Sequence, residues 1–82
     1  MPKHSTLHRI FMQNVRQRRR DLALTQSEVA ERLGVSQPSY AALEGGKSIP
    51  GLEVVERVAI ALETTPLELL GVGVTITTVP VG

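Results

Sequence analysis

The 82-residue sequence has no cysteine, two histidines, and no run approaching the ~20 apolar residues that a membrane span requires. Without cysteine there are neither disulfides nor a thiolate metal site, so stability must come from packing; the chain suits a reducing cytoplasm without requiring one. The opening MPKHSTLHRIF lacks the long apolar core of a secretory signal, and a cytoplasmic protein is expected. His4 and His8 are four apart, a spacing compatible with a metal on one helix face. With no obvious third ligand they are read as incidental surface residues, so neither a metal nor a cofactor is expected. No paired-carboxylate or nucleophile–base constellation occurs, and Gly45-Gly46-Lys47 lacks the full phosphate-loop pattern, so an enzyme is not expected.

What is present is a modest apolar content of 41%, enough for one small core, and a net charge of +1 that hides an asymmetry. Residues 1–50 carry Lys3, Arg9, Arg16, Arg18, Arg19, Arg20, Arg32 and Lys47 against Asp21, Glu28, Glu31 and Glu44. Residues 51–82 carry Arg57 against Glu53, Glu56, Glu63 and Glu68. The halves are therefore +4 and −3. Phosphate contacts supply much of the affinity for DNA, so a local excess of positive charge matters more than the sum.

The most informative stretch is Thr25 to Lys47, TQSEVAERLGVSQPSYAALEGGK. Thr25-Gln26-Ser27-Glu28 is a capping box, in which the Thr side chain caps the backbone and Glu28 reaches back. Val29, Ala30 and Leu33 recur at helical spacing, and Gly34 closes the helix where a positive φ is needed. Ser36 caps a second helix with Tyr40 and Leu43 inward, and Gly45-Gly46 ends it. Pro38 is tolerated in the first turn, where its missing N–H has no helical partner. Two short helices so closely joined, with small Ala30 at their crossing, form the helix-turn-helix pattern, whose second helix enters the major groove.

The remaining elements follow from the same signals. A first helix is predicted from about Thr6 or Leu7 to Asp21, with Leu7, Ile10, Phe11 and Val15 as its inner stripe and Leu22 and Leu24 covering its exit. A fourth, capped by Gly51, runs to about Leu62 and buries Leu52, Val55, Val58, Ala59 and Leu62. Thr65-Pro66-Leu67-Glu68 opens a short fifth helix through Leu70, ended by Gly71. The fold class is thus all-α, a compact five-helix bundle. Residues 1–6 form an N-terminal tail, 7–71 the helix-turn-helix domain, and 72–82 a C-terminal tail. That tail, VGVTITTVPVG, is uncharged and rich in β-branched residues. It reads as a strand pairing with a second subunit, a strand added to a partner protein, or a disordered end, with an ordered role in dimerisation preferred.

The signatures T-Q-x-E-x-A-x-x-L-G-V-S-Q and L-E-x-G-K, in that order, resemble the DNA-binding domains of lambdoid-phage repressors and the wider Xre/Cro-like helix-turn-helix family over roughly Val15 to Leu70. The resemblance implies the lambda-repressor-like bundle and a sequence-specific transcriptional regulator, a repressor acting as a homodimer on double-stranded DNA. It implies that Gln26 faces the phosphate backbone and that Gln37 reads a base, its amide suiting adenine N6 and N7. Pro38 and Ala42 match further base-facing positions but offer only apolar contact. Ser36 and Ser39 can bond phosphate or base, with Ser36 open to being occupied as a cap. Lys47 and Ser48 match the loop anchored to phosphate, with Arg16, Arg18 and Arg20 as lesser candidates. Arg19 and Glu44 match a partly buried ion pair that fixes the recognition helix, and Tyr40 an inward position with its hydroxyl at the DNA-facing edge. The alternative within the same fold is an antitoxin or protein-interaction module, binding a partner protein through its tail or acidic half.

Overall fold

The computed structural model describes residues 5–71, which form five helices and no strand: α1 (Thr6–Asp21), α2 (Gln26–Leu33), α3 (Gln37–Glu44), α4 (Leu52–Ala61) and α5 (Pro66–Leu69). The expectations for His4 and for the tail 72–82 lie outside the described residues.

Each helix begins where a side chain can accept from an orphan backbone N–H. Ser5 accepts from His8 N, Thr25 from Glu28 N, Ser36 from Ser39 N and Thr65 from Glu68 N. At Thr25 the box is complete, since its own N–H donates to Glu28 Oε1 at 2.8 Å. Only α4 starts on a glycine, Gly51, without a side-chain cap.

The helices end alike, with a left-handed residue that lets a later N–H reach back to the last turn. At the turn of the helix-turn-helix this residue is Gly34, at φ 73°, and Val35 N donates to Ala30 O at 3.0 Å. After α1 and α4 the same conformation falls on Ala23 (φ 56°) and Glu63 (φ 57°), which carry a Cβ that the left-handed region disfavours.

The core lies where the helix faces converge. Phe11, Met12 and Val15 from α1 meet Val29 and Ala30 of α2, Tyr40 and Leu43 of α3, Val55, Val58 and Ala59 of α4, and Leu62 and Leu69. Each such side chain contributes ~1.5–3 kcal/mol on full burial. Ala30 is 2% exposed, and so small a side chain lets α2 and α3 approach closely.

Three expectations about burial are corrected. Leu7 and Leu52 were assigned to the inner stripes of α1 and α4 but are 50% and 85% exposed. Both sit in a first turn, and helical side chains lean back towards the N-terminus, so a residue on the right face there overhangs the helix start instead of the core. His8, assigned to the surface, is buried. It stands three, four and seven residues before Phe11, Met12 and Val15 and completes their stripe. The stripe of α1 is therefore turned by one residue from that read in the sequence, where Leu7 is the more hydrophobic neighbour.

Candidate nucleic-acid interface

The first turn of α3 is its most exposed part. Gln37, Pro38 and Ser39 are all exposed, as are Lys47 and Ser48 beyond its C-terminus, while Ala42 is half-buried on the next turn. Burial of Tyr40 and Leu43 on the opposite side fixes this orientation. Ser36 is engaged as a cap: Ser39 N donates to its Oγ at 3.2 Å, and its hydroxyl donates to Ser39 Oγ at 2.9 Å. Pro38 sits at the start of the helix, where a missing N–H costs nothing. Lys47 N donates to Ala42 O at 2.9 Å, which folds the loop back against the helix end.

Behind this surface lies a buried carboxylate. Glu44 is 3% exposed, yet all four of its acceptor directions are filled. Oε1 accepts from Arg19 Nη2 at 2.9 Å and Gln26 Nε2 at 3.1 Å; Oε2 accepts from Arg19 Nε at 2.8 Å and Tyr40 Oη at 2.6 Å. Arg19 also donates to Leu24 O at 3.0 Å. Arg19 thus meets the carboxylate in a two-pronged pair, the geometry that best offsets the cost of burying charge. Burial alone would raise the Glu44 carboxyl, but the bonds from Arg19, Tyr40 and Gln26 outweigh it and hold the carboxyl below its ordinary value. The same bond from Glu44 raises Arg19, and Tyr40 is raised first by burial and then by Glu44. Tyr40 is itself 1% exposed. Its hydroxyl, expected at the DNA-facing edge, is turned inward, because a carboxylate one helical turn on offers a partner that a buried phenol needs.

Gln26, half-buried at the start of α2, joins the carboxylate to the exposed surface. Its Nε2 donates to Glu44, and its Oε1 accepts from Gln37 Nε2 at 2.8 Å. The structure thereby brings Arg19, Gln26, Gln37, Tyr40 and Glu44 into one connected group. The link between the two glutamines was not read from the sequence, although both occupy the first position of their helices. The arginines divide. Arg16 Nη1 donates to Glu44 O at 3.0 Å, closing the end of α3. Arg18 turns away and donates to Leu62 O and Glu63 O, both at 2.8 Å. Arg20 is exposed at the end of α1.

A family model described as helix-turn-helix matches residues 15–69. The chain belongs to the Xre-like helix-turn-helix family. Within this family, the helix-turn-helix protein is 43% identical over 54 residues to an uncharacterized HTH-type transcriptional regulator of Methanothermobacter thermautotrophicus, an alignment covering 66% of this chain and 78% of that one. The crystal structure of the clp gene regulator ClgR from C. glutamicum superposes with a TM-score of 0.76, covering 94% of this chain and all of that one. At 23% identity that likeness concerns the fold alone. No described helix of this family member is long and apolar enough to cross a membrane.

Proposed function

We propose that the protein is a sequence-specific DNA-binding transcriptional regulator, with residues 7–71 as its DNA-binding unit and α3 as the helix that enters the major groove. The observation that carries this reading is the exposed first turn of α3, braced from behind by the buried Arg19–Glu44 pair and flanked by Lys47 and Ser48. Gln37 is the principal base reader. Pro38 and Ala42 contribute apolar contact, Ser36 and Ser39 bond along the same edge, and Lys47 and Ser48 meet phosphate. The start of α2 adds backbone N–H groups to the phosphate contacts, beside Gln26. The regulator of Methanothermobacter thermautotrophicus, matched over 54 residues, supports the same class of function.

One recognition helix spans too few base pairs to select a site in a genome, so the protein acts as a homodimer. Its half-sites lie ~34 Å apart on one face of a near-palindromic operator. The exposed aliphatics Val54 and Ile60 of α4 and Leu67 of α5 supply apolar surface for self-association away from α3. Repression follows by obstructing polymerase at such an operator.

Selection of bound duplexes from a random DNA pool at near-physiological salt tests this reading. Enrichment of a near-palindrome whose affinity drops on Gln37→Ala is expected. Binding that is indifferent to sequence and falls steeply with salt would leave only a non-specific phosphate contact and overturn it.

A further inference from the structure

The connected group behind α3 has a direction. A carboxylate has no proton to give, so every neighbour of Glu44 must present a donor to it. Gln26 therefore turns its NH₂ to Glu44 and its carbonyl oxygen outward. That oxygen can only accept, so Gln37 must turn its NH₂ towards Gln26. Either amide flipped alone would set two oxygens or two NH₂ groups against each other. Arg19 and Tyr40 fill the remaining acceptor directions of Glu44 with further donors and leave the carboxylate no other arrangement.

We propose that Glu44, buried behind the recognition surface, sets the base preference of Gln37 by fixing the direction of this hydrogen-bond chain, favouring adenine and disfavouring guanine. The inference rests on the reading of α3 as the recognition helix. One N–H of Gln37 is consumed by Gln26, which leaves one donor and one acceptor on the exposed amide. Adenine offers the complement, an acceptor at N7 and a donor at N6. Guanine offers two acceptors, N7 and O6. Against guanine the fixed amide meets one acceptor with its own oxygen, and it cannot rotate to present both N–H groups without breaking the bond to Gln26. Gln26 and Glu44 are thus positioning residues, acting on the base through Gln37.

The test uses the full chain and an operator duplex recovered by selection, with each base pair of a half-site varied in turn and affinity read by fluorescence anisotropy. The pair at which Gln37→Ala removes discrimination identifies the base that Gln37 reads. If no pair behaves so, the reading of α3 falls, a different failure from that of the relay. At the identified pair the wild type is expected to prefer adenine over guanine by about tenfold or more. Gln26→Met keeps the length and bulk of the side chain but carries no amide, so the fold should persist, as its melting temperature would confirm. With Gln37 released, the preference should shrink to less than about threefold on the same bidentate scale. Glu44→Gln, measured below its melting temperature, restores a donor at the root of the chain and should lower the same ratio. A wild-type preference for guanine would overturn the inference. So would variants that weaken both duplexes by one common factor and leave the ratio unchanged, because loss of a phosphate contact or of stability alone has that signature.

Discussion

Arg18 and Arg19 are neighbours in α1 and serve opposite ends of the molecule. Arg19 grips the Glu44 carboxylate beneath the recognition helix. Arg18, about 100° around the same helix, reaches the last carbonyls of α4 at Leu62 and Glu63. Arg32 joins Arg18 there, donating to Ala61 O at 2.9 Å and to Glu63 Oε2 at 3.0 Å. At the first end a side chain answers a side chain, both of them charged and screened from water. At the other, arginines answer backbone carbonyls that any sequence would supply. The first arrangement is bound to the identity of Glu44, whereas the second needs only that α4 end where it does. Two arginines at adjacent positions thus differ in how specific their partners are, and the comparison can be sharpened by experiment.

The largest effect is expected at the carboxylate. Glu44→Gln should lower the unfolding free energy in urea by about 3 kcal/mol, since one partner of a buried pair is lost. Substitution of exposed Glu53 should change it little; equal losses would dissolve the contrast between the two ends. Acid provides a second probe. The Glu44 carboxyl lies below its ordinary value of 4.5 in the folded chain, so its stabilisation is complete above that value and disappears as pH falls through the lowered one. The gap in stability between wild type and Glu44→Gln should therefore narrow on acidification below about pH 4, read by denaturant titration at each pH. At the far end, Arg18→Ala should cost about 1.5 kcal/mol, the scale of hydrogen bonds from a charged donor. A loss as large as that at Glu44 would show that the two ends are equivalent.

Smaller effects test the turns on either side. Ala23→Gly should raise the melting temperature through a gain of about 0.5–1 kcal/mol, since glycine takes the left-handed conformation without its steric cost. Weakest of all is Glu63→Gln, expected to change stability by less than about 0.5 kcal/mol. Its ion pair with Arg32 is open to solvent, the two side chains being 40% and 60% exposed.

How legible all this was in the sequence depended on the range of each interaction. α2 and α3 run over the residues expected because their signals are local: a capping box, a capping serine, a proline in the first turn and glycines at the ends. Arg19 with Glu44 was reached through the family resemblance and is present as a two-pronged pair. The misreadings arose where a side chain's surroundings come from elsewhere in the chain. Leu52 satisfies the helical period, yet nothing in a period says where the neighbouring helices stop. The assignment of Arg18 to phosphate drew on a run of charge, and such a run does not reveal that α4 ends opposite one of its members. Gln26 and Gln37 were singled out separately for DNA; their meeting depends on the angle of the turn at Gly34, which the letters indicate only as a turn.

Asn14, in the middle of α1, donates through Nδ2 to Leu69 O at 2.9 Å. α5 has four residues, too few to persist as a helix on its own. Its final carbonyls are thus received by a side chain 55 positions earlier. In kinetic terms, α5 forms only after α1 is in place, so the two ends of the described chain close together as one event. Amide exchange at Leu69 and Leu70 therefore times the docking of α1, and reports when the bundle is shut.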